Sequence, residues 1–277
     1  MYLPVKKALL CLKLLVEGNS LRSIERITGV TMHTLLDLLL LAGERCERLL
    51  KEHIRGVSVR DVQADEIWAF VGCKEKTKHR LQRYGEFVGD IYTYVAIERN
   101  TKLVLTWHLG WRTQEDTVAF IQKLHYATSG SFQLTTDGFQ SYPSAIYQNL
   151  GERVSYAQVI KSYAAAHPTQ SPEGERRYSP ASQVEIIKLR RQGDPNPALI
   201  STSHVERQNL TMRMAIRRLT RLTNGFSKKR ENLKAALALH FAYYNFCRIH
   251  LSLRCTPAME AGITKNVWAI RDLLKIK

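Results

Sequence analysis

The sequence predicts an α/β domain, a sheet with helices on its faces, preceded by an all-α segment. Three observations carry this reading. Apolar side chains recur at helical spacing from Val5 to about Ile54, the period changes to alternation after Gly56, and beyond it strand and helix patterns take turns. The boundary is therefore placed at Gly56, giving a first domain over 1–56, a second over 57–250 and a C-terminal tail over 251–277.

In the first segment Leu9, Leu12, Leu15 and Val16 form one stripe, and Leu35, Leu36, Leu39 and Leu40 another. Between them Ile24 and Ile27 mark a short amphipathic helix. Thr28-Gly29-Val30 reads as a tight turn in which glycine supplies the left-handed residue, and Thr31 as the N-cap of the next helix. This is the outline of a helix-turn-helix. Its second helix would turn Thr31, His33, Thr34 and Asp37 away from Met32, Leu35 and Leu36, toward DNA bases; a packing or dimerisation hairpin would share the pattern.

VSVRDVQADEIWAFV alternates as a strand, with Val62, Ala64, Trp68 and Phe70 on one face and Asp61, Gln63 and Asp65 on the other. GDIYTYVAIER and KLVLTWHLG are β-rich and joined at Asn100-Thr101 as a hairpin. Val118, Ile121 and Leu124 mark an amphipathic helix that Gly130 ends. FQLTTDGF gives a short strand ending at Asp137, followed by a helix through Ala145 and Leu150 and the strand VSYAQVI. Five of the eight prolines, Pro168, Pro172, Pro180, Pro195 and Pro197, break the regularity over 161–200. An irregular insertion is expected there, with a short helix around Val184 to Arg191. A long helix resumes from Ser203 to about Leu222, with Val205, Met212, Ile216 and Leu219 toward the core and Asn224-Gly225 stopping it. A further helix covers Glu231 to about Asn245.

Composition narrows the function. At 277 residues the chain exceeds a lone DNA-binding module, and 44% hydrophobic with 24% charged residues describes an ordinary globular protein. Lys and Arg number 41 against 25 Asp and Glu; the net charge of +16 favours a polyanionic partner through counterion release. From Ser201 to Arg254 eleven Lys and Arg face only Glu206 and Glu231. Arg207, Arg213, Arg217, Arg218, Arg221, Lys228 and Lys229 are accordingly assigned to nucleic-acid contact. A second cluster, Lys74, Lys76, Lys78, Arg80 and Arg83, follows the first acidic strand. Cys11, Cys46, Cys73, Cys247 and Cys255 form no CxxC pair, so reduced thiols and no zinc are expected. VKKALLCLKLLV is interrupted by Lys13 for a signal peptide, and LLDLLLLAG is far short of the roughly 20 apolar residues of a membrane span. A cytoplasmic location and no membrane partner follow as expectations.

Three acids stand out by context: Asp65 in a strand, Asp137 at the end of another, Glu206 in the first turns of a helix. Two strand carboxylates beside a helical one would make an oxygen-rich site for hard divalent cations, able to support phosphoryl transfer. Each also has a plainer reading. Asp65 could be a solvated strand-end group; its neighbour Glu66 is an alternative ligand, but adjacent strand residues point to opposite faces, so one of the two is expected at the site. Asp137-Gly138 is a turn signal, and Ser203-His204-Val205-Glu206 fits a capping box. Arg213, seven residues after Glu206, returns to nearly the same helical face.

VQADEIWAFVG, LTTDGFQSYP, STSHVERQNLTMRMAIRRLTRLTNGFSKK and YYNFCRIHLSLRCTPA, in that order, resemble the DDE transposases of bacterial insertion sequences, closest to the family of insertion sequence one, from about Val57 to Gly262. The resemblance implies a ribonuclease-H-like fold, a mixed five-stranded sheet carrying two aspartates with a helix bringing the glutamate beside them. By that match Asp65, Asp137 and Glu206 are the catalytic, metal-binding triad, and Arg213 is the basic residue two turns after the glutamate. It implies two Mg²⁺ (or Mn²⁺) ions, double-stranded DNA as partner, both terminal inverted repeats and target, and a homodimer or higher oligomer to hold two ends. Members often carry a cysteine zinc-binding segment ahead of the helix-turn-helix; this chain shows none. Rival readings are an integrase or nuclease without coupled strand transfer, and a non-catalytic DNA-binding regulator.

Overall fold

A computed structural model of the chain describes residues 3–80, 82, 87–163 and 183–274. The elements run α1 (Val5–Val16), α2 (Leu21–Thr28), α3 (Met32–His53), β1 (Val57–Ser58), β2 (Asp61–Val71), α4 (Glu75–Lys78), β3 (Gly89–Glu98), β4 (Val104–Gly110) and α5 (Gln114–Ala127). They continue β5 (Thr128–Ser129), β6 (Phe132–Asp137), α6 (Tyr142–Leu150), β7 (Val154–Tyr163), β8 (Gln183–Gln192), α7 (Ser203–Ala215), α8 (Arg230–Phe246), α9 (Pro257–Glu260) and α10 (Ile270–Leu273).

The turn between α2 and α3 is made by the residues expected, Gly29 and Thr31, and Ser20 adds a cap at the start of α2. Ser20 accepts the Ser23 N–H (3.1 Å), Gly29 ends α2 at φ 66°, and Thr31 accepts the Thr34 N–H (3.4 Å). Glycine suits that turn because a left-handed residue there carries no Cβ penalty. The chain bends by 111° between α2 and α3, within the roughly 90–120° of a helix-turn-helix. Among the described residues no single helix is long and apolar enough to cross a membrane.

The main sheet has the order β4-β3-β2-β6-β7-β8. β2, β3 and β4 form an antiparallel meander; α5 then carries the chain back to β6, which pairs parallel with β2, and α6 leads to β7, parallel with β6. The sheet is therefore mixed, but six-stranded rather than five-stranded. The extra strand is β8, antiparallel to β7 from Tyr156↔Gln192 to Tyr163↔Gln183, where a short helix around Val184 to Arg191 was expected. Tertiary pairing decides here: Ile186, Ile187 and Leu189 suit either state locally, and the open edge of β7 selects the strand. Glu185, Lys188, Arg190 and Arg191 give the new edge a charged character that discourages further pairing. Pro168, Pro172 and Pro180 lie outside the described residues.

Asp61 and Gln63, on the face of β2 opposite Val62 and Ala64, are both buried, because β2 is central and helices cover both its faces. Asp61 is paired with Arg99 at 3.1 Å. The helix from Ser203 ends at Ala215, not near Leu222. Arg213 donates to the Leu219 carbonyl (3.0 Å) and Thr220 Oγ1 donates to the Arg213 carbonyl (3.0 Å), folding the chain back over the last turn. Ile216 and Leu219 still reach the core, now from an extended residue and a 3₁₀ turn, Arg217–Leu219. The basic surplus after Glu206 is thus spread over α7, this returning turn and the start of α8, not over one helix.

α5 and α6 cover one face of the sheet, while α7 and α8 lie on the other. At the β4 edge, Asn245 of α8 exchanges two hydrogen bonds with the Val104 backbone (3.0 and 2.9 Å). α3 packs along α8, and the buried cluster that begins at Cys11 runs through the sheet to Leu274.

Candidate active site

β2 and β6 run parallel up to the pair Ala64↔Thr136, and the next residue of each is an aspartate. Parallel register therefore sets Asp65 and Asp137 side by side at the carboxyl end of the strand pair, where open α/β sheets form their crevices. Asp137 is the last residue of its strand, and its Oδ1 accepts the Phe139 N–H (3.0 Å), so the Asp-Gly turn and the site share one residue.

α7 is docked along the same face of β2 by a ladder of polar contacts. Gln63 Oε1 accepts the N–H groups of His204 (2.8 Å) and Val205 (3.2 Å), capping the start of the helix. Two residues along the strand, Asp65 Oδ2 accepts from Asn209 Nδ2 (2.9 Å). The spacing is consistent: two strand residues and four to five helix residues both advance about 6–7 Å. Further along, Arg213 Nη2 reaches the Trp68 carbonyl (3.3 Å). With the helix held at these points, Glu206 projects into the cavity that Asp65 and Asp137 line, a volume of about 520 Å³ also bounded by Arg112, Lys161 and Thr202.

The capping box expected at Ser203 is not formed. Thr202 is the N-cap residue, and its hydroxyl donates to Glu206 Oε1 (2.5 Å), which also accepts from Lys161. Glu66 supplies the second correction. One oxygen each from Asp65, Glu66 and Asp137 lies within 4.8 Å of the others, although Asp65 and Glu66 occupy opposite faces of β2. The strand end of Asp137 is approached from both faces, and so both acids reach it. Alternation along β2 alone could not show this; the adjacent acids Asp65-Glu66 were the available signal.

Electrostatics follow from burial. Desolvation, then the Asp137 charge, pushes Asp65 up to about 7 and Glu66 up to about 8. Asp137 is raised as well, again chiefly by burial. Arg112 donates to Glu66 Oε2 (3.2 Å) and Asp137 Oδ2 (3.4 Å) without offsetting that desolvation. Glu66 Oε1 is buried and makes no hydrogen bond of ordinary geometry. The Tyr142 hydroxyl is close enough to favour the Glu66 carboxylate, but it too lacks such a bond. An all-carboxylate donor set with an unmet buried acceptor fits a hard divalent cation such as Mg²⁺ or Mn²⁺.

The basic residues divide into two groups. Arg207, Arg217, Arg221, Lys228 and Lys229 are exposed; the Lys228 ammonium lies 3.2 Å from the Phe226 ring centre, and Lys229 is 3.8 Å from Glu231. Arg213 and Arg218 are engaged within the protein, Arg213 with the Leu219 and Trp68 carbonyls and Arg218 with Ser227 Oγ (3.3 Å). Burial brings both guanidinium groups down to about 10. Thr31 and His33 are exposed at the start of α3, and Thr34, bonded to Thr31, is half-buried. Lys74 stacks 5.8 Å over Trp68, Lys78 pairs with Glu75 at 3.5 Å, and Arg83 falls outside the described residues. Sequence reasoning missed Gln63, Arg112, Lys161, Thr202 and Asn209.

Neither a protein family known from sequence nor a curated protein matches the chain. Among solved structures it is similar to piggyBac transposase in a synaptic complex with hairpin DNA, at 9% identity over 97% of this chain and 68% of that one, TM-score 0.41. It is also similar to a pre-cleavage Mos1 transpososome (13% identity, 56% and 60% covered, TM-score 0.20) and to the Mos1 strand transfer complex (14%, 86% and 78%, TM-score 0.22). At these low identities and TM-scores, the functional argument stands on the chain's own residues.

Proposed function

We propose that the chain is a DNA transposase of the DDE class, of the insertion-sequence-one type, with a ribonuclease-H-like catalytic sheet. The observation that carries this reading is the convergence of Asp65 and Asp137, from adjacent parallel strands, with Glu206 from α7 around one polar cavity. Asp65, Glu66 and Asp137 would hold divalent metal, with Glu206 completing the set on release from Lys161. Two such ions would supply activation of an attacking oxygen and stabilisation of the leaving oxygen in phosphoryl transfer.

The protein's own groups do the rest. Asn209 and the Glu66 N–H each donate to an Asp65 oxygen, at 2.9 and 2.8 Å, and fix that carboxylate; Gln63 fixes the helix that bears Glu206. Arg207, Arg217, Arg221, Lys228 and Lys229 would hold backbone phosphates, with Arg213 and Arg218 shaping the turn that presents them. Thr31, His33 and Thr34 on α3 would read base edges of a terminal repeat. Water would free a 3′-OH at the element end, and that hydroxyl would attack target DNA. Two ends held together call for at least a dimer.

The test is incubation of the protein and Mg²⁺ with duplex from the DNA flanking its gene and a target plasmid. Wild type should join the two molecules; Asp65→Asn, Asp137→Asn and Glu206→Gln should each lower joining by at least about a hundredfold while duplex binding persists. Cleavage without joining would favour the nuclease or integrase reading. Full joining by Asp65→Asn would end the proposal.

A further inference from the structure

The metal-site carboxylates already have a cation of the protein's own. Arg112 sits between β4 and α5, its guanidinium forked across Glu66 Oε2 and Asp137 Oδ2. Aromatic faces support it, with the Phe139 ring centre 4.2 Å away and that of Tyr92 5.9 Å away. The backbone beneath is pinned, since the Tyr94 hydroxyl donates to the Trp111 carbonyl (2.8 Å) and the Trp111 N–H donates to Asp116 Oδ2 (2.8 Å). The side chain itself is 40% exposed, whereas that of Glu66 is 2% exposed. A fixed base and a solvated tip allow the guanidinium to swing outward. Glu66 cannot follow it, and its carboxylate stays inside beside the Tyr142 hydroxyl, with Oε1 making no hydrogen bond of ordinary geometry.

We propose that Arg112 is a tethered counter-ion of the metal-free site: it occupies the cation position between Glu66 and Asp137, and divalent metal binds only as Arg112 leaves. This deepens the metal reading given under Proposed function and rests on it. An arginine released at the rim of the cavity stands where a phosphate must pass, so the same displacement would arm a phosphate contact. The alternative is a permanent ion pair that orders the carboxylates, and the two differ in sign. A competitor lowers apparent metal affinity by the fraction of time the site is free of it, about tenfold if Arg112 is in place nine-tenths of the time. A permanent orienting pair raises the affinity instead.

Calorimetric titration of the full chain with MnCl₂ at pH 8.5 separates them. Arg112→Gln should bind Mn²⁺ about tenfold more tightly than wild type, and Arg112→Lys, which lacks the fork, should fall between. Without metal, Arg112→Gln should melt below wild type, and Mn²⁺ should raise its melting temperature by more. Equal or weaker Mn²⁺ binding by a folded Arg112→Gln overturns the inference alone, provided that wild-type binding is lost in Asp65→Asn/Asp137→Asn. If that double variant binds Mn²⁺ as wild type does, the metal reading fails and the inference with it.

Discussion

At Asp65 and Glu66 two effects act in the same direction: burial disfavours the charged form, and the Asp137 carboxylate repels a second charge. Both groups are raised from the ordinary carboxylate range to about 7 and about 8. The folded chain therefore binds more protons than the unfolded chain between about pH 4 and pH 8. Stability from this source is fully present below about pH 4 and is lost as pH rises through 7 and 8. Thermal unfolding in EDTA should show the melting temperature falling between pH 5 and pH 8.5, reflecting a loss of stability on the order of 1–3 kcal/mol. The groups interact, so a single broad transition is expected. Asp65→Asn should flatten it, and a wild-type profile already flat over that range would contradict the assigned burial. The acids were legible in the sequence because each sits in a distinctive local string. Gln63 and Asn209 were not, because their partners are 141 and 144 residues distant and only the docking of α7 on β2 supplies them. Arg112 was hidden for the same reason.

Helices 5–54 and the β2–β4 meander could be read from periodicity, since one face of each is apolar and local spacing records it. β8 could not, because its state is set by the edge of β7, and neither could the early end of α7, which depends on Arg213 turning back to the Leu219 carbonyl. Between elements, the crossing of α3 and α8 is set by one glycine. A Cβ on Gly43 would stand 2.5 Å from both Cα and Cβ of Ala235. In an isolated helix Gly→Ala stabilises by about 1 kcal/mol. At this crossing the sign should reverse, because backbone must move, and overpacking typically costs about 1–3 kcal/mol. Gly43→Ala should lower the urea midpoint, and Gly43→Val should lower it further. A raised midpoint for Gly43→Ala would mean that the two helices have room to separate.

Over the whole molecule, the same crossing bears on how independent residues 1–56 are. The period change at Gly56 marks a change of secondary structure, but the buried cluster crosses it without a gap. α3 is held by Ala235 at Gly43 and by Lys234, which pairs with Glu47 at 2.7 Å. Arg45 donates to the Leu274 carbonyl (2.9 Å), and His53 packs edge-on against Phe246 and Trp268. The 251–277 segment contributes α10, which touches α1, α3 and α8. Removing the first three helices would uncover the side of α8 that carries Ala235, which meets Gly43, and Leu239, which lines a cavity with Leu36 and Leu39, and contiguous apolar patches above a few hundred Å² promote association. A chain beginning at Val57 should therefore aggregate, or melt well below the full protein, when followed by light scattering and thermal denaturation. A monodisperse 57–277 fragment with an unchanged melting temperature would make the helical segment a separable module. If the fragment fails, Thr31, His33 and Thr34 are held at a fixed offset from Asp65. On the proposed function, the distance between a base read by α3 and a phosphate cut at the acids would then be built into the core, and inserting residues at Gly56 should not shift the cleavage position.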